Sequence, residues 1–205
     1  MIILCYGDSN TFGFNTWDCS RFDEETRWTK LLNKNLGDKY KVIEEGACNR
    51  TGFVDNDDGE LYSAQKHFPK ILNMYEQLDF IVLSIGTNDF QYKYNIEMET
   101  VETGLEKLIS SAKQKTNNLI IIPPVILDTN ILNGPFKIYF NESSIKKSKI
   151  AGDIYKKVSQ KYACTIFDIN DFTLPSSIDG LHYDEESHKI IANKLSDLIL
   201  KIAKK

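Results

Sequence analysis

The segment Asp79-Phe80-Ile81-Val82-Leu83-Ser84-Ile85 runs without polar alternation straight into Gly86-Thr87-Asn88-Asp89. A short continuous apolar run closed by glycine and small polar residues fits a strand covered on both faces and ended by a tight turn. The amino terminus repeats the pattern, with Ile2-Ile3-Leu4-Cys5-Tyr6 followed by Gly7-Asp8-Ser9-Asn10-Thr11. Residues 40–44, 119–122 and 164–168 read as three further short strands. Between these runs the apolar positions fall at helical spacing. Trp28, Leu31, Leu32 and Leu36 place a helix over 24–36, with Gly37 as a left-handed stop. Residues 61–78 read as a helix that Pro69 kinks or divides. Val101, Leu105, Leu108, Ile109 and Ala112 mark a helix over 97–115, residues 142–163 form another, and Ile191, Leu195, Leu198 and Ile202 stripe the last, over 185–203.

Parallel strands need crossover connections, and sheets built from them have both faces covered. The alternation therefore predicts an α/β fold: a flavodoxin-like three-layer α/β/α sandwich with a doubly wound, five-stranded parallel sheet. No linker divides the 205 residues, so 1–205 is expected to be a single domain. Lys+Arg 25 against Asp+Glu 29 gives a net charge of −4 with no acidic or basic blocks, which argues against nucleic acid and an anionic membrane as partners. Lys146, Lys147, Lys149, Lys156 and Lys157 read as a solvated helix face. Cys5, Cys19, Cys48 and Cys164 lack zinc-site or Cys-x-x-Cys spacing. Free thiols, no secretory signal and no apolar run long enough to span a bilayer lead to the expectation of a soluble, cytoplasmic protein.

Chemistry in open α/β sheets gathers at the carboxyl ends of strands, where Ser9 and Asn88 both fall. A serine hydroxyl is a weak nucleophile without a base, and the chain has only His67, His182 and His188. Asp179 precedes His182 by three residues, a spacing that brings carboxylate and imidazole together if the segment turns. Asn88 offers a side-chain amide to a developing oxyanion, and the Ser9 backbone and the 45–51 loop offer N–H groups. Each residue also has a plain structural reading: Gly-Asp-Ser and Gly-Thr-Asn-Asp occur in ordinary turns, and Asp179 can cap one. Asp8 is expected to hold the Ser9 turn. Phe12, Phe14 and Trp17 either wall a small pocket or pack in the core. Arg50 is expected to pair with Glu44, Glu45 or Asp55, and His67 and His188 are assigned to surface or packing roles. Asp8, Asp179 and His182 could ligate a metal, but no ligand cluster such as His-Glu-x-x-His is present, so neither metal nor cofactor is expected.

Gly7-Asp8-Ser9, Gly86-Thr87-Asn88-Asp89 and Asp179-Gly180-Leu181-His182, in that order, resemble three sequence blocks of the SGNH (GDSL-type) hydrolase superfamily. Arg27-Trp28-Thr29, Leu36-Gly37, Val42-Ile43-Glu44-Glu45-Gly46 and Arg50-Thr51 extend the resemblance to its arylesterase/acyltransferase-like branch. The resemblance implies metal-free hydrolysis of small acyl esters, with Ser9 as nucleophile, Asp179 and His182 completing the triad, and Asn88 as an oxyanion donor. Asn49 stands where the family usually has glycine. Asparagine tolerates left-handed geometry, so the oxyanion amide is carried to Asn49 rather than to Gly46. Glu44 replaces a usual asparagine, and Asn10 replaces a common leucine, which puts Asn10 with Phe12 and Phe14 as pocket residues. The rival reading is a flavodoxin-like module that binds a nucleotide or other anion without turnover, although glycine-rich phosphate loops are absent. A homo-oligomer is a further expectation: the aromatic connection 125–141 either covers the site or forms a subunit contact.

Overall fold

Strand β1 (Ile2–Gly7) lies inside a five-stranded parallel sheet with β2 (Lys41–Gly46), β3 (Phe80–Ser84), β4 (Leu119–Ile122) and β5 (Thr165–Ile166). The order β2-β1-β3-β4-β5 is the doubly wound one expected from the alternation. This computed structural model describes residues 1–204. Leu4, Cys5, Ile81, Val82, Ile120 and Ile121 are wholly buried, which is why these strands read as continuous apolar runs. The helices are α1 (Ser9–Phe12), α2 (Trp28–Leu36), α3 (Ala64–Asn73), α4 (Met98–Lys113), α5 (Glu142–Lys161) and α6 (Glu185–Ala203). They form two packed groups, α2 against α6 and α3 against α4 against α5. Among the described residues no helix is long and apolar enough to cross a membrane.

The chain leaves β1 toward β2 on one side and returns to β3 on the other, so a crevice opens at the carboxyl ends of β1 and β3. Register aligns those ends, with Gly7 opposite both Gly46 and Ser84. Glycine is required at two of these positions. A Cβ on Gly7 would overlap the Thr11 side chain and the Ser84 carbonyl oxygen, and one on Gly46 would overlap the Phe12 backbone. The first turn of α1 therefore rests directly on the sheet edge.

Several boundaries differ from the sequence reading. The helix expected over 24–36 starts at Trp28, because residues 24–27 form a turn on Asp23 and extended Arg27 directs its side chain to Glu44. Gly37 has φ 75° but an extended ψ of −176°, so the chain leaves α2 without a left-handed turn. The 61–78 segment divides into a 3₁₀ turn (Glu60–Tyr62) and α3. Pro69 sits inside α3 without splitting it, a position where only one helical hydrogen bond is lost. The strand at 40–44 shifts to Lys41–Gly46, and the strand at 164–168 shrinks to two residues. The segment after Gly7, expected as a turn, is the one-turn helix α1. All four cysteines are free. The lysines named above are exposed or half-buried along α5.

Candidate active site

Ser9 opens α1 immediately after β1. Asp8 caps the helix, its Oδ1 accepting the Asn10 N–H at 3.0 Å, and Gly13 (φ 83°, ψ 50°) closes it. Burial pushes the Asp8 carboxyl above its ordinary range, against the pull of that N–H. Ser9 is 7% exposed, less open than the sequence reading supposed, and meets solvent through a cavity. Its Oγ lies 2.9 Å from His182 Nε2, and His182 Nδ1 lies 2.7 Å from Asp179 Oδ2. Asp179 Oδ1 accepts the N–H groups of Leu181 and His182 at 2.9 and 3.0 Å. Asp179 therefore both caps the turn and meets the ring, so the structural and chemical readings of this residue hold together. A carboxylate only accepts, which makes Nδ1 the protonated nitrogen and leaves Nε2 free to accept the serine proton. Asp179 is fully buried, and Phe14 and Phe136 lie against the imidazole at centroid distances of 4.5 and 5.1 Å.

Asn49, Asn88 and Ser9 line the same cavity. Asn49 is left-handed at φ 62°, as its choice over glycine requires. Its Nδ2 donates to the Asp58 carboxylate, and its Oδ1 accepts from Gln91 Nε2 at 2.8 Å. Gln91 Nε2 also donates to Asn88 Oδ1 at 3.3 Å, and Asn88 Nδ2 spends one N–H on the Arg50 carbonyl at 3.1 Å. The second Asn88 N–H and the Ser9 and Asn49 backbone N–H groups have no acceptor among the described residues. Asp89 ties this loop to the next: its carboxylate accepts from Gly52, Phe53 and Val54 N–H at 2.6, 2.7 and 3.0 Å. Burial nevertheless pushes that carboxyl up to about 7, the three N–H groups opposing the shift.

The cavity encloses about 330 Å³ and has a mixed lining. Phe14, Phe136, Tyr139, Phe140 and Leu181 supply apolar surface, and Asn49, Asp58, Asn88, Gln91 and Lys93 polar groups. Of the expected pocket residues only Phe14 lines it. Phe12 lies under the Arg21 guanidinium, 4.6 Å from it, and Trp17 is 79% exposed outside the cavity. Asn10 is buried and bonds the Leu181 carbonyl and the Tyr183 N–H instead, because its amide finds partners in the neighbouring turn. The 125–141 connection turns Phe136, Tyr139 and Phe140 into the cavity, so it does cover the site.

Among the described residues Arg50 makes no carboxylate pair. Buried beneath the loop, it donates to the carbonyls of Gly7, Glu45 and Leu61 at 2.9, 2.6 and 2.9 Å and stacks on Tyr6. The guanidinium is buried where three backbone carbonyls converge, so it bonds those even though the Glu45 carboxylate is near enough to act on its charge, a choice that sequence spacing does not reveal. His67 meets the Tyr6 hydroxyl at 3.2 Å. His188 is a core residue accepting the Trp28 N–H at 3.2 Å, and burial pushes its imidazole down to about 3. Gln91 and Asp58 escaped the sequence reading; the only available signal was Gln91's position one helical turn past Asn88. Among the described residues no three His, Cys, Asp or Glu side chains gather as a metal site.

A doubly wound sheet with a strand-end serine bonded to a buried imidazole is an arrangement suited to hydrolysis through an acyl-serine, and comparison with known proteins gives the class. The chain belongs to the GDSL-like Lipase/Acylhydrolase family, whose sequence model matches residues 3–195. The aryl esterase of M. smegmatis is 23% identical, with 98% of each chain covered and a TM-score of 0.89. Est24, a carbohydrate acetylesterase from Sinorhizobium meliloti, is 24% identical over 98% of this chain and 99% of its own, at a TM-score of 0.90. A carbohydrate acetylesterase family member from the same organism is 26% identical over 97% of this chain and 96% of its own, at a TM-score of 0.88. No curated protein matches the chain in sequence. Family and structural likeness together make this protein a carboxylic-ester hydrolase of the SGNH type.

Proposed function

We propose that the protein is a serine esterase that hydrolyses small acyl esters through Ser9, His182 and Asp179. The observation that carries this reading is the unbroken line from Ser9 Oγ to His182 Nε2 (2.9 Å) and from His182 Nδ1 to Asp179 Oδ2 (2.7 Å) at the floor of a cavity. Ser9 Oγ attacks the carbonyl carbon while His182 takes its proton and Asp179 holds the imidazolium. The carbonyl oxygen becomes an oxyanion, and the Ser9 and Asn49 N–H groups with the free Asn88 N–H receive it. Collapse expels the alcohol, which takes the proton from His182. Water, activated by the same imidazole, then releases the acid from the acyl-serine. A cavity of about 330 Å³ lies at the small end of ligand sites and suits a short acyl group. Its polar lining groups suit an alcohol that carries hydroxyls, in keeping with the likeness to the carbohydrate acetylesterases of Sinorhizobium meliloti.

Hydrolysis of 4-nitrophenyl acetate by wild type and Ser9→Ala tests the reading. Activity of Ser9→Ala is expected to fall to background; equal rates in the two proteins would remove Ser9 from the reaction. A screen of acyl chain length and of acetylated sugars would then rank substrates, with acetyl esters expected to lead.

A further inference from the structure

The turn that carries Asp179 and His182 is braced within itself. Gly180 N–H donates to the Ser176 carbonyl at 2.8 Å and Ser176 N–H to the His182 carbonyl at 2.7 Å, while Asp179 Oδ1 takes two N–H groups of the turn. This bracing fixes the imidazole against its carboxylate. It does nothing to fix the imidazole against Ser9, which lies 173 residues earlier on another element.

Apart from the Ser9–His182 bond, the hydrogen bonds joining α1 to residues 176–183 among the described residues both come from the Asn10 side chain. Asn10 Nδ2 donates to the Leu181 carbonyl at 3.3 Å, and Asn10 Oδ1 accepts the Tyr183 N–H at 3.1 Å. These two backbone groups flank His182. A carbonyl only accepts and an N–H only donates, so the orientation of the amide is unambiguous. Asn10 is itself held: its N–H donates to Asp8 Oδ1 at 3.0 Å, its carbonyl accepts Trp28 Nε1–H at 2.9 Å, and its surface is 5% exposed. Leucine could make neither side-chain bond. Aspartate could accept from Tyr183 but would set a second acceptor against the Leu181 carbonyl.

We propose that Asn10 is a positioning residue: it docks the preassembled Asp179–His182 turn onto the helix of the nucleophile and sets the Oγ to Nε2 separation. The inference rests on the reading of Ser9 as nucleophile. A misplacement of about 1 Å between reacting groups costs on the order of 10² in rate. Asn10→Leu and Asn10→Asp are therefore expected to lower kcat for 4-nitrophenyl acetate about 10- to 100-fold per folded molecule, with KM within about threefold of wild type. Phosphorylation of Ser9 by diethyl 4-nitrophenyl phosphate, in which the serine oxygen displaces 4-nitrophenolate and loses its proton to His182, should slow in parallel. A purely structural role would lower the melting temperature and leave both rates per folded molecule intact, and that result for both variants would overturn the proposal. Should Asn10→Leu not fold, the isosteric Asn10→Asp carries the test by itself. Ser9→Ala runs alongside: if it hydrolyses ester at the wild-type rate, the serine reading fails and Asn10 has nothing to position.

Discussion

Asp179 accepts three hydrogen bonds with two oxygens, two from its own turn and one from His182. Asp179→Asn keeps the shape but offers Nδ1 an amide, which can favour the wrong ring tautomer. The expected outcome is a fall of about 10³–10⁴ in kcat with little change in KM, read from steady-state ester hydrolysis. Asn88 lines the cavity and braces the Arg50 carbonyl with one N–H, leaving the other without an acceptor among the described residues. Asn88→Ala removes both and is expected to cost about 10²–10³ in kcat, accompanied by a small loss of stability from the orphaned carbonyl. Gln91 aside, the partners of the Asn88 and Asn10 side chains cannot be read from the residues around them. Each bonds a backbone group contributed by a distant segment.

Among the elements, the contact of α1 with the strand ends is the tightest. Gly46 is glycine because the Phe12 backbone occupies the space of a Cβ. Gly46→Ala forces α1 away from β2 and is expected to destabilise by about 3 kcal/mol, lowering the melting temperature by roughly 6–12 °C in a thermal scan. Esterase activity should fall with it, since Ser9 rides on the displaced helix. Glu44, on the same strand, accepts from Thr29 Oγ1 at 2.5 Å and Arg27 Nε at 2.7 Å. Burial would raise its carboxyl, but these bonds outweigh that and hold it below its ordinary range. Glu44 thus fastens β2 to the start of α2 and takes no part in the cavity. The departure from the family's usual asparagine at this position changes the scaffold and not the site.

At the level of the fold, His188 makes stability depend on pH. Its buried imidazole is held neutral, with burial pushing it from 6.5 to about 3. Between those values the unfolded chain binds a proton that the folded chain does not, so stability is complete above about 6.5 and is lost as pH falls. At pH 5 the loss is about 2 kcal/mol from this residue. Burial of Asp89, whose carboxyl is pushed up to about 7, acts in the opposite direction over the same range, so the His188 share is read as a difference: in urea unfolding the change from pH 7 to pH 5 should be about 2 kcal/mol more destabilising in wild type than in His188→Gln, whose amide oxygen can still accept the Trp28 N–H.

The alternation of apolar runs with helically spaced stripes was enough to determine the layered α/β fold, because strands buried on both faces must be apolar throughout and parallel neighbours need crossovers, while the order β2-β1-β3-β4-β5 was one of the doubly wound orders it allowed. It also placed Ser9 and Asn88 on one edge, since residues at turns after such strands fall there whatever the loops do, whereas His182 was singled out by the Asp179 spacing. Element ends were less legible: capping at Trp28 and the two-residue β5 depend on partners far along the chain. Tertiary structure alone decided which polar atoms are spent and which are free. Gln91 linking Asn49 to Asn88, Arg50 serving carbonyls, and Asn10 reaching across 171 residues to Leu181 are choices among competing partners. A local sequence records what a side chain can bond, whereas burial and distance select the bond it makes.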